Sequence, residues 1–194
     1  MEKVYGPDHP ETASSLNFLG QALESQGDFA AALPLYERAL GIFERALGPE
    51  HPNTSWALDN IAGVLYRLGD LARALPVQQR ALLIREKVLG PEHPDTAESL
   101  EGVARIFMDQ GEVAKPRSLF ERALSIREKA FGPEHPSTAT SLTYLAHFLH
   151  AQGDLAEARS LNERALAIRE RCLDRRIPTL RRPSTTSPAR SPWS

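Results

Sequence analysis

Four histidines, His9, His51, His93 and His135, recur every 42 residues, each between an acidic residue and a proline. Imidazole is the commonest protein ligand for zinc, so the pattern first suggests a metal site. Geometry excludes it. Equivalent residues in successive packed helical units are held apart by interaxial distances of ~8–10 Å, whereas zinc needs its nitrogen ligands at ~2.0–2.1 Å. His147 and His150 are three apart and share a helix face. Two ligands do not close a zinc site, and no Cys or carboxylate lies at matching spacing.

The other groups capable of chemistry are as sparse. The lone Cys172 falls in a column otherwise filled by Ala46, Val88 and Ala130, which reads as a small packing residue and not a nucleophile. Gly41, Gly63 and Gly102 are isolated within helical patterns, so no glycine-rich loop cradles a phosphate. No Ser, His and Asp stand in a nucleophile-elbow context, and Glu98 and Glu101 read as solvated charges on a helix face. The expectation is no catalytic residue, no metal and no cofactor, hence no enzyme.

What positions these residues is a repeat. Gly48-Pro49-Glu50-His51-Pro52 returns as Gly90-Pro91-Glu92-His93-Pro94 and Gly132-Pro133-Glu134-His135-Pro136, with Gly6-Pro7-Asp8-His9-Pro10 as a conservative copy. A fixed period of this length marks a stacked array. Within one unit Leu58, Ile61, Ala62, Leu65 and Leu68 recur at helical spacing, and Leu71, Ala74, Leu75, Ala81, Leu82 and Val88 form a second stripe after Gly69-Asp70. Each unit therefore reads as a helical hairpin.

The boundaries have physical causes. Proline suits the first helical position and pushes the residue before it out of the helical region, so His51 is the expected cap. Gly69 ends the first helix in a left-handed conformation and Asp70 caps the second, as do Gly27-Asp28, Gly111-Glu112 and Gly153-Asp154. Pro34 and Pro76 lie inside second helices, where each removes a backbone hydrogen bond. Pro116 replaces the Ala of the column Ala32, Ala74 and Ala158, near the end of a first turn where donors are mostly unpaired.

The expected organisation is a remnant of a preceding repeat with its linker over 1–10, an array over 11–173 (units 11–47, 53–89, 95–131 and 137–173), and a disordered Arg/Pro/Ser-rich tail over 174–194. The tail carries a net charge of about +4. The whole chain balances 25 acidic against 23 basic residues, so no global field points to nucleic acid or an anionic membrane. The absence of a long apolar run and the single cysteine fit a cytoplasmic protein.

With Leu58, Ile61, Ala62, Leu65, Ala74, Ala81 and Leu82 and their counterparts in every unit, the pattern resembles the tetratricopeptide repeat. The 42-residue period, the Ala81 to Lys87 ending and the Gly-Pro-Glu-His-Pro linker resemble the kinesin-light-chain version. This implies an all-α solenoid, a right-handed superhelix of about four helix-turn-helix repeats. It also implies that the first helix of each hairpin lines a concave groove for a partner peptide. Carried over by position, that groove comprises Asn17, Phe18 and Gln21, then Trp56, Asp59, Asn60, Tyr66 and Arg67. Glu101, Arg105 and Met108 follow, and Tyr144 and His147 complete it.

These groove columns vary between units while the packing columns repeat. Asn60 resembles a backbone clamp of the kinesin light chains, although its column otherwise reads Phe18, Gly102 and Tyr144. Glu24, Asp59, Glu98, Glu101 and Asp109 against Arg67 and Arg105 make the wall mildly acidic. The expected partner is a protein or peptide with basic and large apolar side chains, anchored near Trp56, Tyr66 and Tyr144. The alternative for Trp56 and Tyr144 is that they fill the seam between hairpins. The alternative for the chain is a sensor or regulatory segment of a larger signalling protein, such as a nucleotide-binding NTPase.

Overall fold

The computed structural model describes residues 5–176. The helices are α1 (Pro10–Ser25), α2 (Phe29–Leu47), α3 (Pro52–Arg67), α4 (Leu71–Val88), α5 (Pro94–Asp109), α6 (Ala114–Phe131), α7 (Pro136–Gln152) and α8 (Leu155–Arg176). Among the described residues there is no strand, and no helix is long and apolar enough to cross a membrane. Because α8 runs to Arg176, residues 174–176 are helical. The rest of the expected tail lies outside the described residues.

Consecutive helices pack as antiparallel hairpins, and each hairpin packs on the next through its second helix. The backbones of α1 and α3, α3 and α5, and α5 and α7 also approach within 8 Å, whereas those of α2, α4, α6 and α8 do not approach one another. The stack therefore curves with its first helices on the inside. This is the all-α solenoid read from the repeat.

The linker word works as a staple. Nδ1 of His9, His51, His93 and His135 accepts the N–H two residues on, at 3.1, 3.1, 3.2 and 3.1 Å. Each histidine is thus a helix cap that answers one orphan donor. Thr12, Thr54, Thr96 and Thr138 then donate their hydroxyls back to the carbonyls of Gly6, Gly48, Gly90 and Gly132 at 2.7, 2.9, 2.8 and 2.8 Å. Gly48 sits at φ 99°, a region that disfavours any side chain, which explains the glycine that opens the word.

Asp28 and Asp70 cap α2 and α4 by accepting from Ala31 and Arg73 N–H. Glu112 does not cap α6, contrary to expectation: the preceding position is Val113, with no side-chain bond, and Glu112 instead pairs with Lys115 at 3.5 Å. Its extra methylene makes glutamate a poorer cap than aspartate. Pro116 is buried in the alanine column, and the helices continue through Pro34 and Pro76.

Alanines at the crossings let the helices approach: Ala39, Ala81, Ala123 and Ala165 are buried, with Ile42, Ile84, Ile126 and Ile168 one turn on. Outside this core, second helices are joined by Glu44–Arg80 at 2.7 Å, Glu86–Arg122 at 2.7 Å and Glu128–Arg164 at 2.6 Å. These rungs are part-exposed, so each contributes at most about 1 kcal/mol.

Candidate functional site

The inner wall is built by helical spacing on α1, α3, α5 and α7, whose opposite faces are fixed by the core. At its centre lies a cavity of about 130 Å3 bounded by Tyr66, Arg67, Gln78, Arg105, Gly63 and Gly102. The Arg105 guanidinium lies 4.4 Å from the Tyr66 ring centroid and 5.5 Å from that of Tyr144. One cation from the third hairpin thus joins aromatic rings of the second and the fourth. Burial raises the pKa of the Tyr66 phenol, and its hydroxyl is shared with Asp109 and Arg105.

A second aromatic group stands towards α1, where Phe18 meets Trp56 edge-on at 5.6 Å and remains 63% exposed. Trp56 is half-buried against the cluster of Ala13, Leu16, Phe43 and Ala57, and Tyr144 is half-buried and stacked on Phe120 at 6.3 Å. Both therefore serve the seam while remaining partly exposed. Asn60 is half-buried, and its side-chain nitrogen is out of solvent without a hydrogen-bond partner. Gln21 and Met108 are half-buried, whereas Arg67 and His147 are exposed.

Three residues expected on the wall lie in the seams between hairpins. Asn17 is fully buried, with neither side-chain polar atom partnered. Asp59 meets Arg85 at 2.5 Å as a charge contact, and its other oxygen accepts from Gln78 at 2.5 Å and Ser99 at 3.0 Å. Glu101 pairs with Arg127 at 2.9 Å and accepts the Ser141 hydroxyl at 2.5 Å. The reason is register: Asn17, Asp59, Glu101 and Thr143 form one column that points between hairpins. Burial pushes the Asp59 and Glu101 carboxyls up to about 7, against the pull of Arg85 and Arg127.

Among the described residues, no three His, Cys, Asp or Glu side chains stand close enough together to hold a metal ion. Cys172 is a half-buried free thiol beside the cluster of Ala139, Leu142, Ala165 and Ile168.

The tetratricopeptide repeat model matches this sequence over residues 1–45, 25–82, 55–115 and 101–171. The chain belongs to the tetratricopeptide repeat family. Its array is similar to a solved structure from Podosopora anserina, described as kinesin light chain nearly identical TPR-like repeats, at 29% identity and TM-score 0.70 over 86% of this chain and 78% of that one. It also shares its fold with BtubC from P. vanneervenii, at 22% identity and TM-score 0.74 over 94% of this chain and 73% of that one. No curated protein sequence matches.

The seam device of this tetratricopeptide array escaped the sequence reading, though its signal was present. An acid on a first helix is followed 26 residues later by an arginine and 40 residues later by a serine, as in Asp59, Arg85 and Ser99 and again in Glu101, Arg127 and Ser141. The first unit has Asn17, Phe43 and Ala57 at these places, which leaves the amide without a donor or acceptor to meet.

Proposed function

We propose that this chain is a non-catalytic interaction scaffold that holds an extended segment of a partner protein along its inner wall, centred on the Tyr66, Arg105 and Tyr144 stack. The observation that carries the reading is this stack beside a glycine-lined cavity. It offers rigid aromatic surface and a guanidinium at the middle of a concave surface, where binding energy is usually concentrated. Asn60 borders the same wall with its unpartnered side-chain nitrogen turned out of solvent, so a rotation of the amide would bring that donor to a backbone carbonyl of an extended ligand.

A basic partner was expected from five wall acids, but Asp59 and Glu101 are spent on arginines inside the seams. Glu24 accepts the Tyr36 hydroxyl at 3.1 Å and Glu98 lies 3.4 Å from Arg85. Glu24, Glu98 and Asp109 have no arginine of their own in the seams, so the pull on a basic segment is weaker than five free acids would give. The wall better suits one with large apolar side chains for the Phe18 and Trp56 pair and for Tyr144. The half-buried free thiol fits a reducing, cytoplasmic setting.

The test is a peptide-array screen of the full chain beside Asn60→Ala and Tyr66→Ala. Loss of the captured sequences in both variants, with unchanged thermal unfolding, supports the reading. Capture that is indifferent to both overturns it.

A further inference from the structure

We propose that the seam between α3 and α5 holds, beside Trp56, a subsite for one arginine side chain of the partner segment, with the carboxylates of Asp95 and Glu98 as its counter-charges. The inference rests on the reading that the inner wall holds that segment, and it names the chemistry of one side chain in it. A cavity of about 300 Å3 lies at the start of the two helices, lined by Asn53 and Trp56 of α3, Asp95 and Glu98 of α5, and Arg85 of α4. The central cavity lies further along the same seam, where Gly63 and Tyr66 of α3 meet Gly102 and Arg105 of α5.

What Arg85 already does sets the charge of this cavity. Its guanidinium is buried, lies 2.5 Å from the Asp59 carboxylate, and donates to the Asp95 carbonyl at 2.6 Å and the Ser99 hydroxyl at 3.0 Å. Glu98 is left 3.4 Å from it, with its side chain 65% exposed. The Asp95 carboxylate, 55% exposed, stands 3.9 Å from Nδ1 of His93, which accepts the Asp95 N–H as a cap and so has no proton there to offer. Even with Asp59 protonated, the two outer carboxylates outnumber the one guanidinium, and the cavity attracts a cation.

The repeat shows that packing does not require this arrangement. In the seam between α5 and α7, Ser137 and Thr140 stand where Asp95 and Glu98 stand here, and Glu98 itself holds the column of Trp56. The seam between α1 and α3 has Glu11 and Ser14 against Asn53 and Trp56. Only between α3 and α5 do an aromatic ring and a pair of acids meet at these positions. Arginine fits them better than lysine, because its plane stacks on an indole ring while its edge takes a carboxylate. Trp56 and Tyr66 are ten positions apart on α3, about 15 Å. An extended segment at about 3.3 Å per residue therefore places this arginine about four or five residues from the side chain at the Tyr66 stack.

The test is nuclear magnetic resonance of the isotope-labelled full chain, titrated with N-acetyl-arginine amide and with its neutral analogue N-acetyl-citrulline amide. The readout is the indole N–H of Trp56, which Trp56→Phe assigns. The arginine compound is expected to shift that signal saturably, and the citrulline compound to bind about tenfold more weakly. The Asp95→Asn, Glu98→Gln double variant changes two exposed side chains, so it should stay folded by circular dichroism and lose the distinction between the two compounds. Equal responses in the parent, no response to the arginine compound, or a distinction that survives in the double variant would each overturn the inference. Peptide capture that depends on Tyr66 beside an indole that does not discriminate leaves the proposed function standing without this subsite. An indole that discriminates while capture ignores Tyr66 does the reverse.

Discussion

The guanidinium of Arg85, near the end of α4, lies 2.5 Å from the carboxylate of Asp59 on α3, and the Ser99 hydroxyl of α5 reaches the same carboxylate at 3.0 Å. A buried ion pair of this kind is mainly a specificity device, because desolvation offsets much of its attraction. Here it fixes how one hairpin sits on the next. Removing one partner leaves a charge stranded: Asp59→Ala is expected to lose about 3–5 kcal/mol in urea unfolding. Glu50→Ala breaks the exposed contact to Lys87 at 2.6 Å and is expected to lose less than about 1 kcal/mol.

The same carboxylates give a pH dependence with a defined sign. Asp59 and Glu101 are raised to about 7 by burial, whereas unfolded Asp and Glu titrate near ~3.9 and ~4.3. Between those limits the folded chain binds more protons than the unfolded one, so this contribution is full below the unfolded pKa and fades as pH rises through about 7. Melting temperature is expected to fall from about pH 5 to about pH 8 in the parent. In the Asp59→Asn, Glu101→Gln double variant the slope should flatten, while a parent slope of opposite sign contradicts the assignment.

Two glycines in first helices separate packing from binding. A Cβ on Gly20 would meet the buried Tyr36 ring at 2.6 Å, whereas one on Gly63 meets nothing within 4 Å. Gly20→Ala is expected to destabilise by about 1–3 kcal/mol through overpacking. Gly63→Ala is expected to stabilise by about 0.5–1 kcal/mol, since alanine loses less backbone entropy in a helix. Because Gly63 lines the central cavity, the same change should weaken partner capture.

The linker histidines act as caps, so His51→Ser should be close to neutral and His51→Ala should cost about 0.5–2 kcal/mol by thermal unfolding. Added zinc should leave both melting curves in place.

The period, the hairpins and the caps were legible because each is written locally: Pro52 after His51, Gly69 before Asp70, leucines and alanines at helical spacing. Glu112 misled because it sits in an aspartate column and differs only in length. The wall was harder to read. Asp59 and Asn60 are adjacent, and only the rotation of α3 against α5 decides that the first points into the seam while the second borders the groove. Periodicity gave the face to within one residue, and one residue is about 100° of helix. Arg85 reads as a surface charge until the helix that buries it is in place.

The central claim, that the inner wall holds the partner, is tested most directly by amide hydrogen exchange of the full chain with and without a captured peptide. Protection is expected on α3, α5 and α7 around Asn60, Tyr66, Arg105 and Tyr144, with α2, α4 and α6 unchanged. Protection confined to those second helices, with the first helices unaffected, would contradict it.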